Sequence, residues 1–150
     1  MIFAIEQNDP DVIIHLGDNI GDAVKIREKF PKQAFHMIKG NCDVNATGDV
    51  EKTITIDGIK IYMTHGHRYH VKEGLSYLMK HTQDSDINLT LFGHTHLATI
   101  TEDKGATLMN PGQMRSHSNR QPASYGIVLI SDSRFDCGIT YLPDEVNISG

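Results

Sequence analysis

Four short apolar runs, each cut off by a small residue and then by Asp, Asn or His, constrain this chain more than any other feature. "DVIIHLGD" delivers Asp18, "QAFHMIKGNCD" delivers Asn41 and Asp43, "IKIYMTHGH" delivers His65 and His67, and "INLTLFGHTH" delivers His94 and His96. Runs this short and rich in β-branched residues read as strands. In α/β sheets ligands gather beyond the carboxyl ends of strands, so the four endings are expected to converge on one cleft. Strand alternation would put His94 and His96 on the same side, just past the end of their run.

Between the runs the pattern changes period. "MIFAIEQN" reads as a helix fragment stopped by Asn8-Asp9-Pro10, and "DAVKIREKF" has helical spacing through Ala23, Ile26 and Phe30. "KTITIDGIKIYMT" alternates on both sides of Asp57-Gly58, the favoured type I′ dipeptide, and predicts a hairpin. "VKEGLSYLMKHT" predicts a helix that buries Val71, Leu75, Leu78 and Met79. A second hairpin is expected around Gly105, and "SYGIVLIS" and "FDCGITYL" predict two closing strands. Residues 112–122 read as a polar loop and the tail "DEVNISG" as loose. Helices that alternate with strands and then give way to hairpins predict a layered α/β domain with mixed sheets between helices. At 150 residues, 39% hydrophobic and 22% charged, the chain is expected to form one domain, 1–150.

Charge and donor types narrow the chemistry. A net charge of −5 argues against a nucleic-acid surface, which needs a basic stripe. It leaves a phosphate ester open as substrate, because bound cations invert local charge. Cys42 and Cys137 form no CxxC pair, and no stretch approaches the ~20 apolar residues of a membrane span. "MIFAI" is interrupted by Glu6 before it makes a signal-peptide core, so a cytoplasmic protein is expected. Carboxylate, amide oxygen and imidazole together suit a hydrolytic Mn, Fe, Ni, Zn or Mg site better than a structural Cys-rich zinc.

In that order and at those intervals, "GD", "GNCD", "HGH" and "GHTH" resemble the calcineurin-like metallophosphoesterases, in particular their small single-domain bacterial and archaeal phosphodiesterases. "NPGQ" at 110–113 resembles a turn those proteins carry after the last motif. The resemblance implies an α/β/β/α sandwich and two divalent metals, with manganese the expected ion. It implies that Asp18 bridges both metals, that Asn41, His65 and His94 complete one site, and that His96 serves the other. It further implies phosphodiester hydrolysis of small phosphate esters by a metal-activated hydroxide, with no covalent enzyme intermediate.

Two departures stand out. The family supplies two ligands from a first strand ending in Asp-x-His; no such triplet occurs here, and Met1 falls within what would be the following helix. An internal start codon, a cut chain or a degenerate relative are the three explanations. For the 150-residue chain itself the expectation is one complete four-ligand site, a neighbour left with Asp18 and His96 alone, an uncovered strand edge and self-association. The second departure is Cys42, which stands where many members have a proton-donating His. Its thiol is a weaker donor at neutral pH and suggests diester or activated substrates, with His67 a candidate for leaving-group contact. The alternative function is a non-catalytic protein-interaction scaffold on the same fold.

Taken singly, the residues have plainer readings. Asp18 alone fits a turn or helix N-cap and Asn41-Cys42-Asp43 a turn, whereas His15 and His36 fit satisfied strand histidines. His81 fits a helix C-terminus, and His70 and His117 fit solvent. Arg115 and Arg120 fit a solvated loop or a subunit contact, with a substrate phosphate as the functional reading.

Overall fold

A computed structural model of the chain describes residues 1–115 and 121–143. The elements run α1 (Ile2–Asn8), β1 (Val12–His15), α2 (Ile20–Lys29), β2 (Ala34–Met37), β3 (Glu51–Ile56) and β4 (Ile59–Thr64), followed by a 3-10 turn (His67–Tyr69). They continue with α3 (Ser76–Asp84), β5 (Leu89–Leu91), β6 (Thr99–Asp103), β7 (Ala106–Asn110), β8 (Ser124–Ser131) and β9 (Arg134–Tyr141). Residues 116–120 and 144–150, with His117, Arg120 and most of the expected loose tail, lie outside the described residues. No helix among the described residues is long and apolar enough to cross a membrane.

Three sheets form. β1 and β2 pair in parallel, β8 and β9 pair antiparallel, and a mixed five-stranded sheet runs β3-β4-β5-β7-β6. Asp57 and Gly58 both take positive φ, 46° and 78°, as the type I′ hairpin of β3 and β4 requires. Among the described residues β1 has β2 as its only strand neighbour, and β8 has only β9.

Three apolar clusters set the layers. Ile5, Ile13 and Ile26 bury α1 and α2 against β1. Ile14, Val128, Ile130 and Phe135 pack from the two small sheets onto Ile61, Met63, Leu89 and Leu91 of the large one. On the far face Leu78 of α3 packs against Tyr62, Phe92 and Leu108. The order is helix, small sheets, large sheet, helix, which is the expected α/β/β/α sandwich.

One helix differs from expectation. The segment after His67 was expected to be helical from Val71, yet α3 begins only at Ser76. His70 takes a left-handed φ of 54° and Gly74 a φ of 156°, neither compatible with a continuing helix. Val71 is nevertheless buried, because it drops beneath Gly66 and joins the Leu78 cluster through this irregular stretch.

Strand direction positions the site. β1 and β2 run in parallel, as do β4, β5 and β7, and the loops leaving β1, β2, β4 and β5 carry Asp18, Asn41, His65 and His94.

Candidate metal centre

His65 is the hub. It is only 3% exposed, and its Nδ1–H donates to the Leu16 carbonyl at 2.7 Å. A carbonyl can only accept, so Nδ1 carries a hydrogen, and in the neutral ring the lone pair sits on Nε2. That lone pair faces Asn41 Oδ1 at 3.0 Å, His94 Nδ1 at 3.2 Å and Asp18 Oδ2 at 3.4 Å. A proton on His94 Nδ1 answers one of these approaches; Nε2, the carboxylate and the amide oxygen still meet acceptor to acceptor. Donors ~2.0–2.2 Å from one ion stand roughly 3.0 Å apart in octahedral and 3.4 Å apart in tetrahedral arrangement, the spacing found here. Among the described residues no three His, Cys, Asp or Glu side chains are arranged as a ready cage. What the chain presents is a fan of acceptors about one imidazole nitrogen, with an amide oxygen among them, and this donor set fits a divalent cation.

The backbone makes the approach possible. Asp18 sits at φ 59° after Gly17 at φ 100°, and Asn19, the residue heading α2, makes no side-chain cap. Asp18 is therefore not the helix cap it resembles in isolation. A Cβ on Gly17 would meet the Gly40 backbone nitrogen at 2.6 Å and His65 Nδ1 at 2.8 Å, and one on Gly40 would collide with the Asp18 carboxylate. Two facing glycines thus let the β1 and β2 loops touch. Asp18 Oδ1 accepts the Cys42 N–H at 3.0 Å, and both loops end against His65.

His94 and His96 part company. Both take positive φ, 69° and 59°, so the strand alternation that ends at Leu91 does not carry through to them. His94 turns inward and His96 is exposed, with no hydrogen bond or ring contact among the described residues. The inward turn is held by Asn110, which is fully buried and donates to the Gly93 carbonyl at 3.1 Å and to Thr95 Oγ1 at 2.9 Å. The "NPG" triplet signalled this support as a motif, but its target was not legible. Burial, followed by the charges of Lys72, His65 and His67, pushes the His94 imidazole down to about 4, so at neutral pH it keeps a free lone pair.

His67 completes the ring cluster, 5.6 Å from His65 and 6.0 Å from His94 between centroids. Its Nδ1 is buried with no partner among the described residues, and burial followed by the charges of His65 and Arg68 lowers its proton affinity. Cys42 is exposed at the mouth, where the Asp18 charge first of all raises its pKa, so it remains a thiol. Lys72, which follows the buried Val71, is close enough for its charge to bear on both His94 and Cys42. Among the described residues it makes no ion pair.

The remaining candidates lie apart. Arg115 pairs with Asp22 on α2 at 4.0 Å, and His70 faces Glu73 at 3.9 Å. His15 accepts the Gly17 N–H at 3.3 Å, as a structural histidine should. His36, expected to be satisfied, instead has a buried Nδ1 without a partner among the described residues. His81 lies in the last turn of α3, its ring 4.9 Å from Tyr62.

The sequence model described as the calcineurin-like phosphoesterase superfamily domain matches residues 2–133. The probable metallophosphoesterase YsnB of Bacillus subtilis is 28% identical over 123 residues, covering 81% of this chain and 70% of that protein. Among solved structures, Vps29 of Entamoeba histolytica complexed with zinc superimposes with a TM-score of 0.72 at 20% identity, over 93% of this chain and 88% of that one. A structure described as a novel archaeal phosphodiesterase gives 0.64 at 19% identity, again over 93% and 88%.

Proposed function

The chain belongs to the calcineurin-like phosphoesterase superfamily, and on that premise we propose that it is a divalent-metal-dependent phosphodiesterase acting on small phosphate esters, with manganese the favoured ion. The observation that carries this reading is the fan of lone pairs about His65 Nε2. Asp18, Asn41, His65 and His94 would hold the cation, and a bound divalent ion supplies Lewis-acid polarisation of the phosphoryl oxygen and lowers the pKa of water. His65 is held in the binding tautomer by Leu16, and His94 is kept unprotonated by its surroundings. Asn41 presents oxygen rather than nitrogen to the cluster. His67 brings a neutral imidazole to the edge of the cluster, and its ring is the candidate for contact with a leaving-group oxygen. Cys42, a protonated thiol at the mouth, is a weak donor, which favours substrates whose leaving group needs little protonation.

A second reading is a protein-interaction scaffold. It is favoured by Vps29 of Schizosaccharomyces pombe, which is 27% identical over 107 residues, and by the exposure of His96 away from the cluster. Metal content after manganese loading and desalting decides between them, alongside turnover of bis(p-nitrophenyl) phosphate. About one ion per chain, lost in Asn41→Ala together with turnover, supports the enzyme. No retained ion and no turnover would leave the scaffold.

A further inference from the structure

Asp43 is the one carboxylate among the motif residues whose oxygens turn away from His65. Its Oδ1 accepts the Ile20 N–H at 3.1 Å and its Oδ2 accepts the Gly40 N–H at 2.9 Å. These two donors belong to different loops. Ile20 opens α2 two residues beyond Asp18, and Gly40 immediately precedes Asn41. The first N–H groups of a helix lack intrahelical partners, and α2 has no side-chain cap from Asn19. Asp43 supplies that cap from the neighbouring loop. Its own N–H donates to the Gly40 carbonyl at 3.2 Å, closing a tight turn around Asn41 and Cys42.

We infer that Asp43 is a positioning residue: its carboxylate clasps the β1 and β2 loops together and so sets Asp18 and Asn41 at their distances from His65. Desolvation works against the charged form, yet the N–H groups of Gly40, Ile20 and Asp18 outweigh it and hold the group below the ordinary carboxylate range. Partners that orient metal ligands are worth ~10–100-fold in metal affinity when removed. An amide in place of the carboxylate keeps the shape but turns one acceptor into a donor facing an N–H group. This inference rests on the metal site proposed above, and its test separates the two.

The experiment compares wild type, Asp43→Asn and Asp43→Ser, the hydroxyl of the last still accepting one N–H. Amide NMR of the metal-free chains is read first, then manganese affinity and the visible spectrum with cobalt. In Asp43→Asn the Ile20 and Gly40 amides should move upfield, with displacement reaching Asp18, Asn41 and His65. Manganese affinity should fall ~10-fold or more, the cobalt bands should shift, and Asp43→Ser should lie between. Lowered thermal stability with unchanged affinity and cobalt bands would make Asp43 a helix cap only and overturn the inference. If wild type binds no manganese, the proposed function falls. The amides then judge the clasp: spread to Asp18 and Asn41 supports it, and confinement to residue 43 and its donors overturns it.

Discussion

Gly40→Ala offers a sharp test of how tightly the two loops are fitted. The new Cβ would collide with the Asp18 carboxylate oxygen, lie 2.7 Å from its Cγ and sit 2.5 Å from the Asp18 backbone nitrogen. The carboxylate can swing aside, but the backbone cannot without opening the β1–β2 contact. Overpacking of this kind costs about 1–3 kcal/mol. Displacing Asp18 also forfeits the charge-assisted bond from the Cys42 N–H, worth about 1 kcal/mol at this partly exposed position. A destabilisation of roughly 2–4 kcal/mol follows, with manganese affinity down ~10-fold or more. Gly21→Ala is the control: it lies in α2 with nothing within 4 Å of its Cβ, so it should stabilise by about 0.5 kcal/mol. Urea unfolding of the metal-free chains gives both stabilities. Gly40→Ala as stable as wild type, with unchanged manganese affinity, would refute the close-contact argument.

Other outcomes follow from the charges and the edges. The unfolded chain protonates His94 near 6.5 and the folded chain only at about 4, so the unfolded state holds more protons between these values. Metal-free stability should fall as pH drops through that window and level off below it. The full shift corresponds to roughly 3 kcal/mol, and partial exposure reduces it to about 1–2 kcal/mol. His15, His36 and His67 are lowered too and push the same way. Urea midpoints at pH 7 and 4.5 should show a shallower drop for His94→Gln; equal drops would exclude His94 as a source. Lys72→Ala should raise KM for a diester several-fold with kcat little changed, and the split should shrink in high salt; unchanged KM would remove Lys72 from substrate binding. Copies are expected to pair through the edges of β1 and β8, which have no further strand neighbour among the described residues; sedimentation showing only monomer at high concentration would refute this.

Much of the architecture was legible because its signals are local. Asp57-Gly58 dictates its own turn, Pro10 ends α1, and the apolar runs are too short for helices. Four strand endings carrying ligand chemistry pointed to one cleft, and Asp18, Asn41, His65 and His94 do meet there. The misses concern backbone geometry that a side-chain pattern does not encode. His94 and His96 diverge because both adopt left-handed φ, and α3 starts late because His70 and Gly74 leave helical space. Asp43 ended a ligand-bearing run with no role assigned to it, and only the positions of Ile20 and Gly40 show what its oxygens hold. Asn110 was visible in a motif, but its support of the His94 loop is a contact between residues distant in sequence.

Asp18 and Asn41 hang from the small β1–β2 sheet, whereas His65 and His94 hang from the large one, and among the described residues no strand pairing joins the two sheets. The cluster is thus a polar seam between layers whose core contact is apolar. A cation bound as proposed would act as a rivet across the sandwich, and its binding energy would resist sliding of one layer over the other. At a hundredfold excess over its dissociation constant such a ligand adds about 2.7 kcal/mol to the native state. The seam also makes ligation a reporter of assembly order, since no half of the molecule can form it alone. A chelator should therefore raise amide exchange first along the interface between the layers, before either sheet loses its own ladder.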